Sequence, residues 1–216
     1  MKPVHAKTEA EGEDEEDPAA VGVTDHPSKE LFPIKEEILK ASVYIATSLD
    51  GFIARENGDI DWLPGGGTAE SGEDYGYKEF MDTVDVLVIG RNSYEKVLTF
   101  NEWPYGDKPV VVLSSGSLNI PEHIAETVES MSCSPAKVVR QLSARGARHL
   151  YVDGGKTIQG FLDAGLIQQL IITKIPILIG SGIPLFGPLK RDIKLWHIET
   201  RPFADGLVRS KYEVIG

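Results

Sequence analysis

The sequence is poor in the residues that bind metals or form covalent cross-links. It has one cysteine, Cys133, in 216 residues, which excludes an internal disulfide and favours a reducing, cytoplasmic location. The five histidines are scattered, and neither a CxxC pair nor an HExxH sequence occurs, so we predict no metal site. The longest apolar stretch, residues 170–183, is interrupted by a lysine, a proline and two glycines and is shorter than the ~20 residues that cross a membrane.

Positive charge is also scarce. With 22 Lys+Arg against 33 Asp+Glu, the net charge of −11 argues against binding nucleic acid through a general basic field. The acidic residues are concentrated in residues 1–40, which show no apolar periodicity and no targeting signal. Such a segment cannot bury enough surface to offset its ordering entropy. We therefore predict a disordered acidic tail over residues 1–40 and one folded domain over residues 41–216.

The folded part alternates strand patterns with helix patterns. Runs rich in β-branched residues predict strands at 42–47, 86–89, 109–113, 148–152 and 169–177. Apolar spacing and end signals predict helices at 74–84, 92–98, 134–145 and 156–164. Two alternating runs, 194–200 and 207–214, predict an antiparallel edge. This order favours an α/β three-layer sandwich, with a mixed, mostly parallel central sheet and helices on both faces.

Two glycine-bearing blocks are the most informative feature of the chain. Residues 86–95 and 150–158 share one design, in which a strand ends at a glycine turn and a helix begins directly after it. Such a turn delivers bare backbone N–H groups to an anion. The first turn also carries Arg91, whose guanidinium suits a phosphate. Together the blocks predict a nucleotide cofactor with more than one phosphate.

These blocks, in this order, resemble the dihydrofolate reductase superfamily, and especially the branch that includes the reductase domain of bacterial riboflavin biosynthesis (the RibD C-terminal domain). The resemblance covers about residues 41–214. It is carried by six segments: residues 46–54, 58–63, 88–95, 111–115, 152–155 and 161–186. It implies a dihydrofolate-reductase-like fold and NADPH as the cofactor.

The resemblance also assigns cofactor-binding residues. The adenosine 2′-phosphate is expected at Gly90, Arg91, Asn92 and Ser93, with Ser114 and Ser115 on the adenosine side. The pyrophosphate is expected at Gly154, Gly155, Lys156 and Thr157, and the nicotinamide at Ala46 and the loop that contains Asp50 and Gly51. Each assignment has a structural alternative. Arg91 could form a surface ion pair, Gly154 and Gly155 could form a plain tight turn, and Ser114 and Ser115 could simply end a strand.

The chemical step needs a proton as well as a hydride, and a carboxyl group with a raised pKa is the expected source. Asp74 falls where folate reductases keep their acidic residue. Glu73, Glu79 and Asp50 are rivals, and a plain helix-capping role for Asp74 is equally open. Substrate contacts are expected from Trp62, Tyr77 and Lys108, with Trp62 as a core residue in the alternative.

The resemblance implies a reductase that transfers hydride from NADPH to a small heterocyclic, pterin- or pyrimidine-like, or carbonyl substrate. The chain departs from both branches in their substrate segments. Residues 106–109 lack the arginine that folate reductases place there, and the segment after Arg91 lacks the riboflavin-branch pattern. The alternative is a catalytically inactive NADP(H)-binding regulatory protein. We also expect a homodimer, with the strand at 169–177 as its seam.

Overall fold

The structure, a computed structural model, describes residues 39–64 and 73–215. The predicted acidic tail lies outside these residues except for its last two. Leu39 is buried and Lys40 opens the first strand. The division of the chain into a tail and a domain stays a prediction.

Ten strands are present in the described part of the chain. They are β1 (Lys40–Ser48), β2 (Phe52–Ala54), β3 (Val86–Gly90), β4 (Val110–Leu113), β5 (Val128–Met131), β6 (His149–Asp153), β7 (Gln169–Ile175), β8 (Ile183–Pro184), β9 (Lys194–Pro202) and β10 (Val208–Ile215). Eight of them form one sheet in the order β5-β4-β3-β6-β1-β7-β10-β9, and β2 and β8 form a small ribbon. In this order, the first six strands (β5, β4, β3, β6, β1 and β7) are parallel to one another. Strand β10 is antiparallel to both of its neighbours, β7 and β9.

Four α-helices lie in the described ranges and cover the sheet. Two of them, α1 (Tyr77–Asp82) and α2 (Arg91–Val97), pack on one side, which we name the front face. The other two, α3 (Pro135–Ala144) and α4 (Gly155–Asp163), pack on the back face. Each face has its own apolar core, because successive side chains of a strand point to opposite sides. The predicted three-layer sandwich, with its mostly parallel sheet and antiparallel C-terminal edge, is confirmed.

The structure adds three short strands that were not predicted, β2, β5 and β8, and it corrects the prediction at α1 and β7. Helix α1 begins at Tyr77 and not at Asp74, because Gly76 has a positive φ of 84° that a helix cannot contain. Strand β7 lies inside the sheet, paired with β1 on one side and β10 on the other. It therefore cannot pair edge to edge with a second chain, and the edge strands of the sheet are β5 and β9.

The central pair of strands separates towards the carboxyl edge of the sheet. Strand β1 pairs with β7 over seven residues but with β6 over only three, the last pair being Ser42 and Tyr151. Just beyond that pair, the Tyr44 carbonyl accepts a hydrogen bond from the Tyr151 hydroxyl (2.8 Å). The side of β1 that faces β6 therefore lacks a strand partner beyond this point. We expect a crevice between the carboxyl ends of these two strands.

A buried histidine joins three elements at the opposite, amino edge. His149 Nδ1 lies 3.0 Å from the Thr83 carbonyl, and Nε2 lies 2.8 Å from Ser42 Oγ. A carbonyl can only accept, so Nδ1 carries a proton. In the neutral imidazole, Nε2 then accepts from the Ser42 hydroxyl, whereas in the charged ring it would donate to the Ser42 oxygen. Burial, with a smaller contribution from Lys40, lowers the pKa of His149.

This arrangement predicts an acid-sensitive contribution to stability. Because the pKa is lowered in the folded state, the unfolded chain binds the proton first, and stability is lost as the pH falls through about 6.5, the ordinary value for histidine. We expect the free energy of unfolding of the unmodified protein to decline relative to that of His149→Gln between pH 8 and pH 5, as measured by urea unfolding. The matched change His197→Gln, on the exposed strand β9, is the control. Parallel pH curves for the unmodified protein and His149→Gln would contradict the assignment.

Candidate functional site

The two predicted glycine bends meet at the carboxyl edge of the sheet. Gly90 ends β3, and Gly154 follows the neighbouring strand β6. If Gly154 carried a Cβ, that atom would overlap Ser93 Oγ and lie 3.7 Å from the backbone nitrogen of Gly90. A Cβ on Gly90 would lie only 2.7 Å from Thr157 Oγ1. The backbone gives a second reason for a glycine at position 154, because its φ is 92° and residues with a Cβ rarely adopt a positive φ. The structure thus brings four predicted cofactor residues into direct contact.

This meeting point is a topological switch. After β3 the chain crosses the front face through α2 to reach β4, and after β6 it crosses the back face through α4 to reach β7. The two connections therefore leave adjacent strands in opposite directions. Open α/β sheets bind their ligands in the crevice that forms at such a point, beyond the carboxyl ends of the strands.

The start of α4 presents free backbone donors beside this crevice. The first intrahelical bond is made by Ile158 N, which donates to Gly154 O at 2.8 Å, so the N–H groups before it have no partner within the helix. A Cβ at Gly155 would lie 3.1 Å from Ile53 Cδ1 and 3.3 Å from the Pro184 carbonyl. The β2–β8 ribbon therefore packs directly against this turn, while Lys156 is exposed.

Arg91 lies next to the end of β4. Its Nε donates to Glu95 Oε1 at 2.7 Å, and its Nη1 lies 3.2 Å from where a Cβ of Gly116 would be. Ser114, two residues before Gly116, donates to the Gly116 carbonyl at 2.9 Å. The Arg91 side chain is 44% exposed, so its guanidinium can offer donors to an anion in addition to its surface ion pair. Asn92 and Ser115 are exposed beside it.

The loop after β1 is braced against a distant turn. The Asp50 carboxylate accepts from Gly180 N at 2.8 Å and from Ile179 N at 3.2 Å, which gives Asp50 a structural role. Gly51 has a φ of 92° and open space around it. Trp62 is buried in a small cluster whose partly buried members include Ala46. Its indole N–H is buried and has no hydrogen-bond partner within residues 39–64 and 73–215.

A carboxyl group that the sequence prediction did not select lies on the front face of this edge. Asp153 ends β6 and shares a side of the strand with Tyr151, two residues before it. Removal from water raises the pKa of Asp153 to about 6, against a smaller opposing effect of the Gly154 N–H. Its charge in turn acts on the hydroxyl groups of Tyr77, Tyr105 and Tyr151, and burial raises the pKa of all three.

The sequence contained a signal for this residue. Asp153 directly precedes the glycine pair, and strand alternation places its side chain with that of Tyr151 and away from that of Val152. A carboxyl group with a raised pKa at the mouth of a crevice is a candidate proton donor.

The geometry around Asp74 favours its capping role. Its carboxylate accepts from Gly76 N and from Lys78 N, both at 2.9 Å. These two bonds lower the pKa of Asp74, which favours a negatively charged cap over a proton donor. The catalytic role of Asp74 stays a prediction.

Lys108 is not brought to the crevice. Its ammonium donates to the Val84 carbonyl at 2.6 Å. Both residues precede their strands, β4 and β3, so this bond lies at the amino edge of the sheet. Of the predicted substrate residues, Tyr77 lies on the front face with its ring centroid 6.5 Å from that of Tyr151, and Trp62 lies in the cluster that includes Ala46. Lys108 is held at the amino edge by the Val84 carbonyl.

The described residues contain no group of three or more His, Cys, Asp or Glu side chains arranged to hold a metal ion. None of the helices in the described ranges is long and apolar enough to cross a membrane. The bends, the free helix donors, Arg91 and the crevice between β1 and β6 together fit an extended, multiply charged ligand such as a dinucleotide.

Comparison with known proteins identifies the family. The family model of the RibD C-terminal domain matches residues 40–208. The chain is 36% identical over 171 residues to the uncharacterized protein YwjB of Bacillus subtilis (strain 168), which covers 78% of this chain and 94% of that protein. The chain belongs to the RibD C-terminal domain family.

Solved structures agree with this assignment. A crystal structure from Shewanella sp. PV-4, of a protein named for riboflavin biosynthesis, is 38% identical, with a TM-score of 0.76, and the match covers 82% of this chain and 100% of that one. Dihydrofolate reductase from Enterococcus faecalis, in complex with NADP(H), is 16% identical, with a TM-score of 0.59 and coverages of 83% and 98%. At that identity the second match speaks for the fold alone.

The contact between the two bends gives a direct test. We expect Gly154→Ala to lower the free energy of unfolding by about 1–3 kcal/mol more than Gly146→Ala, because overpacking against Ser93 adds to the cost of a positive φ. Gly146 has the same φ of 92° and nothing within 4 Å of its Cβ position, so it is the matched control. Adding Ser93→Ala to Gly154→Ala should recover most of the excess. Equal losses at the two glycines, measured by urea unfolding, would show that the bends do not press on each other.

Proposed function

From its membership in the RibD C-terminal domain family, we propose that this protein is an NADPH-dependent reductase. It transfers hydride to a small heterocyclic, pterin- or pyrimidine-like, or carbonyl substrate. The observation that carries the proposal is the contact of the Gly90 and Gly154 bends at the topological switch of the sheet. It makes one continuous binding edge out of two anion-binding turns.

The residues along this edge fit NADPH in order. Arg91, with Ser114 behind it, would hold the adenosine 2′-phosphate, and a guanidinium keeps its charge at any working pH. The first N–H groups of α4 would hold the pyrophosphate. The widening gap between β1 and β6, at Ala46, would admit the nicotinamide. When bound, NADPH supplies the hydride.

The side chains on the front face would position the acceptor and supply the proton. Tyr77 stacks edge-on against Tyr44 (ring centroids 5.5 Å apart), and the two rings form part of an aromatic wall next to Asp153. An aromatic wall of this kind suits a flat heterocycle. With a pKa of about 6, Asp153 keeps a fraction of its carboxyl protonated near neutral pH and would donate that proton to the reduced centre.

A regulatory protein that binds NADP(H) without turnover is the second candidate. It is favoured by the two substrate segments that depart from both known branches. Oxidation of NADPH with any member of a panel of pterins, aminopyrimidinediones and small carbonyl compounds decides for the reductase. Tight NADPH binding without oxidation over the whole panel decides for the regulator.

Two expectations from the sequence stay predictions. One is the cytoplasmic location. The other is the homodimer, for which the surface with most support is the edge strand β9, since its Leu195, Trp196 and Ile198 are all exposed.

Arg91→Ala tests the cofactor assignment. We expect the Kd for NADPH to rise by about 10- to 100-fold, the loss typical of a charged hydrogen-bonding partner. The Kd for NADH should change little, since NADH lacks the 2′-phosphate. Isothermal titration calorimetry measures both, and Arg145→Ala, on a residue paired with Glu129 at the end of α3, is the control. Equal weakening of both cofactors would assign Arg91 another role.

Asp153→Asn tests the proton donor, with Asp74→Asn in parallel. In single-turnover experiments on the best acceptor of the panel, we expect Asp153→Asn to slow hydride transfer by about 10²- to 10⁴-fold and to leave NADPH affinity nearly unchanged. In the unmodified protein the rate should fall as the pH rises through about 6, because the protonated carboxyl is lost. That dependence should vanish in Asp153→Asn. If hydride transfer is slow in Asp74→Asn and unchanged in Asp153→Asn, the proton donor is Asp74 and not Asp153.

A further inference from the structure

The residue that leads into α1 has an unusual backbone conformation. In the part of the chain that the structure describes, Tyr75 is the only non-glycine residue with a positive φ (54°). Gly76 follows with a φ of 84°, and Tyr77 N donates to the Asp74 carbonyl at 2.9 Å. We name residues 74–77 the left-handed turn. Two positive φ values at the centre of such a turn favour glycine, asparagine or aspartate, so a tyrosine there must be held by its surroundings.

The connection between β9 and β10 holds the Tyr75 side chain. The Tyr75 hydroxyl donates to Asp205 Oδ2 at 2.5 Å. Its ring lies edge-on to that of Phe203, with the centroids 5.0 Å apart. Both partners lie between Pro202, the last residue of β9, and Val208, the first residue of β10. The C-terminal hairpin therefore contacts the segment that leads into α1.

Arg209 of β10 holds the Tyr75 backbone. Its Nη1 donates to the Tyr75 carbonyl at 2.5 Å, and the Tyr44 hydroxyl donates to the same oxygen at 2.7 Å. The guanidinium packs directly on Gly76, where a Cβ would overlap Nη1. The Arg209 side chain is only 12% exposed, and its Nη2 lies 3.5 Å from Glu199 Oε1. Because hydrogen bonds from a charged donor are strong, this bond fixes the direction of the Tyr75 carbonyl and with it the left-handed turn.

The left-handed turn sets the position of the first residue of α1. That residue is Tyr77, whose ring centroid lies 5.5 Å from that of Tyr44. Tyr44 also stacks on Phe80 of the same helix, with the centroids 4.9 Å apart. Without Arg209, the strained backbone of Tyr75 loses one of its restraints, so we expect Tyr77 to move relative to Tyr44. These two rings belong to the wall at which the acceptor is proposed to bind.

We propose that Arg209 is a positioning residue for the acceptor site. It holds the left-handed turn and thereby keeps the Tyr77 ring in place against Tyr44, where a flat heterocycle binds. The inference rests on the proposed function for the nature of the ligand. The Arg209 contacts given above include none of the predicted cofactor residues, so we expect Arg209 to affect binding of the acceptor and not of NADPH.

Arg209→Met tests this role with pterin, a flat fluorescent heterocycle whose binding needs no turnover. In fluorescence titrations of the full chain, with and without NADP⁺, we expect the Kd for pterin to rise about tenfold, the loss typical of one charged hydrogen bond. The Kd for NADPH, measured by calorimetry, should stay nearly unchanged. Arg209→Lys should recover part of the loss, because lysine keeps a charged donor. For any acceptor that the protein reduces, KM should rise by the same factor while kcat changes little.

Arg201→Met is the matched control. Arg201 is exposed on β9, and its guanidinium carbon lies 4.9 Å from the centroid of the same Phe203 ring. Within residues 39–64 and 73–215 it makes no hydrogen bond to the left-handed turn. This change should therefore leave pterin binding unaltered.

Gly76→Ala is an independent variant, because the added Cβ displaces the guanidinium of Arg209 without removing it. We expect pterin to bind about as weakly as in Arg209→Met, and the double variant to be little weaker than either single one. Gly146→Ala is its control, since Gly146 has a φ of 92° and nothing within 4 Å of its Cβ position.

Equal pterin affinity in Arg209→Met and the unmodified protein would overturn the proposal. An equal loss of pterin and NADPH affinity would also overturn it, because Arg209 would then support the whole domain. If the unmodified protein binds NADPH but no pterin, the positioning role fails and the cofactor assignment stands. If it binds pterin but neither NADP⁺ nor NADPH, the proposed reductase fails, and the comparison with Arg209→Met still decides for or against the positioning role.

Discussion

The close approach of two backbone bends is the constraint on which the rest of the functional edge depends. Gly154 packs against Ser93 and Gly90 with no room for a Cβ. Only this approach allows two neighbouring strands to send their helices to opposite faces and still present their turns side by side. Arg91, the first N–H groups of α4 and Asp153 each lie within a few residues of one of these bends.

The separation of β1 from β6 adds the second element of the site. Strand pairing ends at Ser42 and Tyr151, and the Tyr151 hydroxyl then satisfies the Tyr44 carbonyl. A side chain thus replaces a backbone partner where the strands diverge, so the crevice can open without leaving that carbonyl unpaired. Tyr151 is also buried on the front face, on the same side of β6 as Asp153. One residue therefore satisfies the Tyr44 carbonyl where the strands diverge and contributes to the low polarity on that side of the site.

The sheet divides the molecule into two chemical environments through strand alternation alone. In β1, Tyr44 belongs to the front core while Val43 and Ile45 belong to the back core. The front face carries the tyrosines and a carboxyl group with a raised pKa. The back face is apolar except where Thr47, Lys174 and Ser210 meet near the edge.

Local patterns in the sequence were sufficient for seven of the ten strands, the four α-helices, the antiparallel edge and the two glycine bends, because periodicity and turn chemistry act over a few residues. They missed the short strands β2, β5 and β8, which have two to four residues and show no clear period. They did not distinguish Asp74 from Asp153, because a carboxyl pKa depends on which groups remove it from water. In the fold, two backbone N–H groups stabilise the charge of Asp74, while burial destabilises that of Asp153. Nor could the sequence place β7 inside the sheet or Lys108 at the amino edge. Those positions depend on pairing between strands far apart in the chain, which only the tertiary structure decides.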